Sequence, residues 1–160
     1  MDTAQATTPA GVNLQGQMSL KLGAWGSEGA KGISLGFFLQ GNEVAGQLDL
    51  MTALGSQMAK VSWQSDQTWL EDTQGRHSFG SLGELSQATL GEALPLKAML
   101  HWMQGRPSPH LPSRPGLEDG LFEQAGWQVD TRDFARHRLQ AQRPATPEQR
   151  AVALKIYLDL

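Results

Sequence analysis

The sequence predicts a mainly β protein (α+β): an open antiparallel β-barrel of about nine to eleven strands, with a helical lid inserted mid-chain. Apolar and polar residues alternate with a period of two in many stretches, which is the pattern of half-buried strands. Gly is abundant, at 18 of 160 residues, whereas charged residues make up only 18% of the chain. This composition favours a sheet with many turns over a helical bundle.

The first half of the chain supplies the first predicted strands. Alternation begins in residues 14–24 and returns in residues 33–40, which the turn signal Gly41-Asn42 follows. Residues 48–63 contain two more strands, and "TWLEDTQGRHSF" predicts a hairpin that turns at Gln74-Gly75. These stretches supply the first strands of a mostly antiparallel sheet.

Two helices are predicted next. Ser81 with Glu84 three residues later matches a capping box, and a second helix lies between Pro95 and Gly105. The apolar face of this second helix carries Leu96, Met99, Leu100, Trp102 and Met103. These side chains have two interpretations, because they form either ordinary core or an adaptable roof over a cavity for apolar ligands.

Strands resume after a stretch rich in proline. Residues 106–116 hold four prolines and predict an extended, stiff loop. A hairpin is predicted to turn at Ala125-Gly126, and residues 152–158 alternate cleanly as a terminal strand. Residues 1–12 have little to bury and are expected to form a flexible N-terminal tether, which leaves residues 13–160 as one domain.

Several classes of function are disfavoured. The net charge of −3 argues against a nucleic-acid partner, and the absence of cysteine excludes disulfides and zinc–thiolate sites. "GISLG" matches the nucleophile-elbow pattern around Ser34, but it lies within an alternating strand that no helix follows. The four histidines show no ligand spacing. We therefore expect no catalytic residue, no metal and no cofactor.

One turn has an unusual composition. Leu54 stands between Ala53 and Gly55 in a loop joining two strands, where polar residues and glycine are usual. Leu54 either folds back onto Trp63 or Leu50, or it protrudes. If it protrudes into a lipid interface, its burial contributes about 1.5–3 kcal/mol, which orients a tethered protein without holding it there.

Three stretches resemble the LolB family of outer-membrane lipoprotein receptors. "FFLQGNEVAGQLDLMTALGSQM" is similar to the family's second and third strands and the protruding loop after them. "LGEALPLKAMLHWMQGRPSP" resembles its most distinctive segment, in which a Pro-Leu pair opens a helix that leads to Trp-x-x-Gly-x-Pro. "GWQVDTRDF" and "LKIYLDL" are similar to its closing strands.

The resemblance implies a role in lipoprotein localisation. It implies that a hydrophobic cavity accepts acylated lipoproteins from the periplasmic carrier LolA and that the protein inserts them into the inner leaflet of the outer membrane, in contact with its phospholipid. It assigns the insertion step to the loop leucine, here Leu54, flanked by Ala53 and Gly55. It also implies a protein on the periplasmic face of the outer membrane, which we expect to be a monomer.

An acyl chain needs an apolar wall, because exposing its ~14–16 carbons to water costs on the order of 10 kcal/mol. Alternation does not decide which face of each strand points inward, so the wall is an expectation. It comprises Leu20, Leu22, Ile33, Leu35, Phe37, Leu154 and Ile156.

The chain departs from the family at one point, and alternative functions stay open. Family members are anchored by an N-terminal lipid-modified cysteine, which this sequence lacks, so the chain as given is expected to be soluble. A lipocalin-like binder of small apolar ligands would share the hollow sheet without needing an apolar loop. A structural module would fill the sheet with its own side chains, and an esterase would require Ser34 in an exposed turn near a histidine.

Overall fold

The computed structural model describes residues 11–159. Eleven strands form one sheet in the order β6-β5-β4-β3-β2-β1-β11-β10-β9-β8-β7. The strands are β1 Val12–Leu22, β2 Lys31–Gly41, β3 Ala45–Met51, β4 Gln57–Gln64, β5 Gln67–Asp72, β6 Gly75–Phe79, β7 Ser113–Pro115, β8 Leu121–Gln124, β9 Trp127–Asp130, β10 Arg138–Arg143 and β11 Val152–Leu158. The helices are α1 Leu82–Leu90 and α2 Leu96–Trp102, and a 3-10 turn spans Phe134–Arg136.

All strand pairs are antiparallel, and the chain order explains the open barrel. β1 to β6 form one meander and β7 to β11 another, and the pairing of β1 with β11 joins them. The outermost strands, β6 and β7, are connected along the chain by α1 and α2. The predicted fold class, an open antiparallel sheet with helices inserted mid-chain, is confirmed.

One face of the sheet is apolar, and both helices pack on it; we call it the inner face. The register places Leu20 opposite Ile33 on β2 and opposite Leu154 on β11, so apolar side chains form continuous rows across strands. Because side chains alternate along a strand, this register turns the polar residues to the other face. The inner face and the helices share one hydrophobic core.

α1 begins and ends where the sequence predicts, whereas α2 begins as predicted but ends at Trp102, before the predicted Gly105. The Ser81 side chain accepts a hydrogen bond from the Glu84 backbone N–H at 3.0 Å, and α1 ends at Gly91, whose φ is +84°. α2 follows Pro95, which is tolerated there because the first turn of a helix lacks intrahelical partners for its N–H groups.

Three boundaries differ from the sequence predictions. The β5–β6 turn lies one residue earlier than predicted, because Asp72 pairs with Gly75 and its carboxylate accepts from the Gln74 N–H. The proline-rich loop contains the short edge strand β7, a position where proline is tolerated. Of the predicted tether, residues 1–10 lie outside the described residues, and Val12 already belongs to β1.

Candidate functional site

The seven residues predicted to form the apolar wall all lie on the inner face. Ile33 is partly buried, and the other six are buried. They are Leu20, Leu22, Ile33, Leu35, Phe37, Leu154 and Ile156. Which face points inward follows from the packing of α1 and α2 against it, a long-range contact that alternation alone cannot reveal.

In this structure α2 covers the inner face and its side chains fill the space against it. Met99 and Trp102 have no exposed surface, and Leu100 and Met103 are also buried. The Trp102 ring lies 6.2 Å from the Trp127 ring, centroid to centroid, in a tilted arrangement. The part of the inner face beneath α2 is therefore accessible to another molecule only if α2 moves away from it.

A buried amide ties α2 and the loop after it to β8. The Gln124 carbonyl oxygen accepts from the Trp102 indole N–H at 2.9 Å and from the Ser108 N–H at 2.8 Å. Its amide nitrogen donates to the carbonyls of Ser108 and Leu111. Gln124 is only 1% exposed, so these groups have little access to water.

A second set of polar contacts holds the other side of α2. Nε2 of His101, on α2, lies 3.0 Å from Glu43 Oε2, and Nε2 of His110 lies 2.9 Å from the same oxygen. Glu43 belongs to the β2–β3 turn. The loop between α1 and α2 is held separately, since Glu92 accepts from the Arg143 guanidinium on β10.

The β3–β4 turn holds Leu54 out into solvent. Thr52 N–H donates to Ser56 O and Gly55 N–H donates to Thr52 O, each at 2.9 Å. Gly55 adopts φ +89°, a conformation that residues with a Cβ rarely take. Leu54 is 95% exposed. Its position is therefore set by backbone geometry.

The alternative packing of Leu54 is excluded by this exposure. A side chain folded onto Trp63 or Leu50 would be substantially buried, and Leu54 is not. Beside the turn, Leu50 pairs with Ala59 and the next residue of β3 pairs with Gln57, which leaves Met58 as the extra residue of a β-bulge.

The chain segment that carries Leu54 is itself uncharged. Residues 50–59 contain no charged side chain, and Met58 is 44% exposed. A segment of this kind can enter an interface without the large cost of desolvating a charge. We call the end of the sheet that carries this turn the loop end.

Another leucine is equally exposed at the opposite end. Leu117, in the β7–β8 connection, is fully exposed. That connection is braced by charge, since Arg132 donates to Glu118 and to Asp130 and thereby holds the pKa of Asp130 below its usual range. Leu117 therefore provides a comparison for Leu54 in a charged setting.

The structure also places Ser34, on which the esterase alternative depends. Ser34 lies exposed in the middle of β2, paired with Ser19, so it does not form the turn that an esterase reading requires. The sequence analysis did not identify Gln124, although a polar residue at an inward position of an alternating strand indicates a buried polar contact. It also did not identify the group of Glu43, His101 and His110, because these residues are far apart in the sequence.

A comparison with protein families identifies the family to which this sequence belongs. The family model described as outer membrane lipoprotein LolB matches residues 11–159. The chain belongs to the LolB family. The family resemblance in the strands and the lid helix is thus confirmed over nearly the entire chain.

Relatives are similar over shorter segments. LolB of Stutzerimonas stutzeri (strain A1501), an outer-membrane lipoprotein, is 34% identical over 89 residues, which cover 52% of this chain and 43% of the relative. Its counterpart from Neisseria meningitidis (strain Z2491) is 34% identical over 83 residues, covering 51% of this chain and 42% of the relative. The matched segments thus span less than half of these LolB proteins.

No helix within residues 11–159 is long and apolar enough to cross a bilayer.

Proposed function

We propose that this LolB-family chain is a non-enzymatic receptor that binds the acyl chains of lipoproteins between the inner face and α2 and delivers them to the outer membrane. The observation that carries the proposal is the apolar layer that α2 closes: a wall made mainly of apolar strand side chains and covered by a seven-residue helix. Leu54, projecting from the loop end, provides the contact with the recipient membrane.

The energies of the closed and loaded states are similar in size. Exposing Met99, Leu100, Trp102 and Met103 to water would cost about 1.5–3 kcal/mol for each side chain. An acyl chain of ~14–16 carbons gains on the order of 10 kcal/mol by leaving water. The acyl chain can therefore replace α2 against the inner face without a large net change in free energy, and this permits both loading and release.

Transfer then runs downhill through partners of increasing affinity. In this proposal acylated lipoproteins arrive from a LolA-like periplasmic carrier, and an affinity advantage of about 1.4 kcal/mol over the carrier biases the exchange tenfold. The inner leaflet of the outer membrane is the final acceptor. An N-terminal lipid anchor on the natural protein would keep the receptor at that membrane.

A fatty-acid series tests acyl binding on this chain directly. We expect a fluorescent fatty acid to bind saturably and to be displaced by unlabelled fatty acids of increasing length. Because each buried CH₂ contributes about 0.8 kcal/mol, displacement should strengthen about fourfold per added CH₂. The Ser34→Ala variant, altered on the outer face, should bind as the unaltered chain does.

Two outcomes would contradict the proposal. Affinity independent of chain length would show that the hydrocarbon stays outside the apolar layer. Absence of displaceable binding would leave the layer as ordinary core. A lipocalin-like function would instead give binding of apolar ligands with no dependence of membrane delivery on Leu54.

A further inference from the structure

We infer that Glu43, His101 and His110 form a binding site for a divalent transition-metal ion that locks α2 in its closed position. The three residues come from three separate segments: the β2–β3 turn, α2 and the loop that follows α2. The inference rests on their geometry and is independent of whether the chain carries lipid.

The three potential ligand atoms already converge. Glu43, His101 and His110 each offer one ligand atom, and these three atoms all lie within 4.8 Å of one another. The two nitrogen–oxygen separations are 3.0 and 2.9 Å. In a tetrahedral zinc site with bonds of about 2.0–2.1 Å, ligand atoms stand about 3.3 Å apart. Small side-chain movements would therefore admit one ion.

The chemistry of the group selects the class of ion. Two imidazoles with one carboxylate is a ligand set that zinc and other late first-row metals favour, whereas calcium and magnesium prefer oxygen alone. The site borders an open groove of about 310 Å³ that Gly41 and Arg106 also line. The groove leaves room for water as the fourth ligand.

Burial differs among the ligands and limits the affinity. The side chains of Glu43 and His101 are 22% and 14% exposed, and that of His110 is 69% exposed. His101 Nδ1 is buried and has no hydrogen-bond partner within residues 11–159. Since a metal-bound imidazole gains about 10–100-fold in affinity from such an outer partner, the site should be weaker than a dedicated structural zinc site.

The position of the site would allow a bound ion to restrain α2. α2 must leave the inner face to admit any ligand there, and a bound ion would join α2 to the sheet and to the loop beyond it. If the ion binds only the closed form, free metal at 100 times the dissociation constant lowers the open population about 100-fold. The site lies at the end of the sheet opposite Leu54, so it would restrain the lid without covering the loop.

Calorimetric titration of the EDTA-treated full chain with Zn²⁺ tests the inference. We expect one ion to bind per chain, and the Glu43→Gln and His110→Gln variants to lose at least tenfold in affinity. His77→Gln is the matched control, because His77 is a surface histidine on β6 whose side chain lies 3.6 Å from the Asp72 carboxylate, away from α2. That variant should bind zinc as the unaltered chain does.

Amide hydrogen exchange in α2 provides the second readout, and it tests whether metal binding holds the helix in place. Exchange over Leu96–Trp102 should slow on addition of Zn²⁺ in the unaltered chain and in His77→Gln, and stay unchanged in Glu43→Gln. Absence of one-to-one binding, or equal affinity in all variants, would overturn the site. Binding that leaves α2 exchange unchanged would overturn its action on the lid.

Discussion

Replacing Leu54 with glutamate should reduce delivery of acylated lipoproteins to membranes by at least tenfold while leaving the fold and acyl binding unchanged. Leu54 is 95% exposed, so the substitution removes no packing. Burying one leucine in a lipid interface contributes about 1.5–3 kcal/mol, which corresponds to roughly 10–150-fold in the population of membrane-contacting molecules. A carboxylate in its place adds a desolvation cost and places a charge within the uncharged residues 50–59.

The measurement is transfer of a purified, fluorescently labelled lipoprotein from the loaded chain to phospholipid vesicles. Leu117→Glu is the matched control, since it introduces the same charge at an equally exposed leucine at the other end of the sheet. This control should deliver normally. Normal delivery by Leu54→Glu, or an equal defect in Leu117→Glu, would remove the membrane role that we assign to Leu54.

Replacing Gln124 with leucine should destabilise the protein by at least about 3 kcal/mol, because each buried polar group left without a partner costs about 1–3 kcal/mol. Gln124 serves three such buried groups, the Trp102 indole N–H, the Ser108 N–H and the Ser108 carbonyl, and it also donates to the part-buried carbonyl of Leu111. Leucine matches the volume of glutamine approximately but can satisfy none of them.

Urea unfolding monitored by tryptophan fluorescence measures this loss. Gln128→Leu is the control. Gln128 follows the β8–β9 turn that Gln124 precedes, and it lies on the exposed face of β9, where it accepts a hydrogen bond from Gln142. Its unfolding free energy should change by no more than about 0.5 kcal/mol. A cost for Gln124→Leu as small as that of the control would mean that Gln124 does not secure α2.

Local sequence signals predicted the elements of this fold well because their causes are local. The Ser81 cap and Pro95 mark the starts of the helices in the sequence as they do in the structure, whereas α2 ends at Trp102, with Met103 as its C-cap, before the predicted Gly105. Alternation likewise identified the long strands, since a half-buried strand needs a period of two. The β7 edge strand was missed because three residues around a proline carry too little pattern.

Long-range features could not be predicted from pattern. The pairing of Leu20 with Leu154 closes β1 against β11 across more than a hundred residues. The packing of α1 and α2 on the sheet decides which face is inner. The convergence of Glu43 with His101 and His110 also depends on the sheet bringing the β2–β3 turn beneath α2. Local rules contain no information on such contacts.

The exposure of Leu54 lies between these two cases. A leucine among turn residues indicated an unusual loop, but only the hydrogen-bonded geometry around Gly55 shows that the side chain points away from the core. The family resemblance predicted its place in the chain, and its role at the membrane remains a prediction.

Hydrogen exchange of the lipid-loaded chain tests the central claim, that an acyl chain replaces α2 against the inner face. Amides of Leu96–Trp102 would be compared before and after loading with a diacylated peptide, with metal removed by EDTA. We predict that exchange in α2 rises at least tenfold on loading, while the central strands β1 and β11 stay protected. Saturable lipid binding with unchanged exchange in α2 would place the lipid elsewhere and contradict the claim.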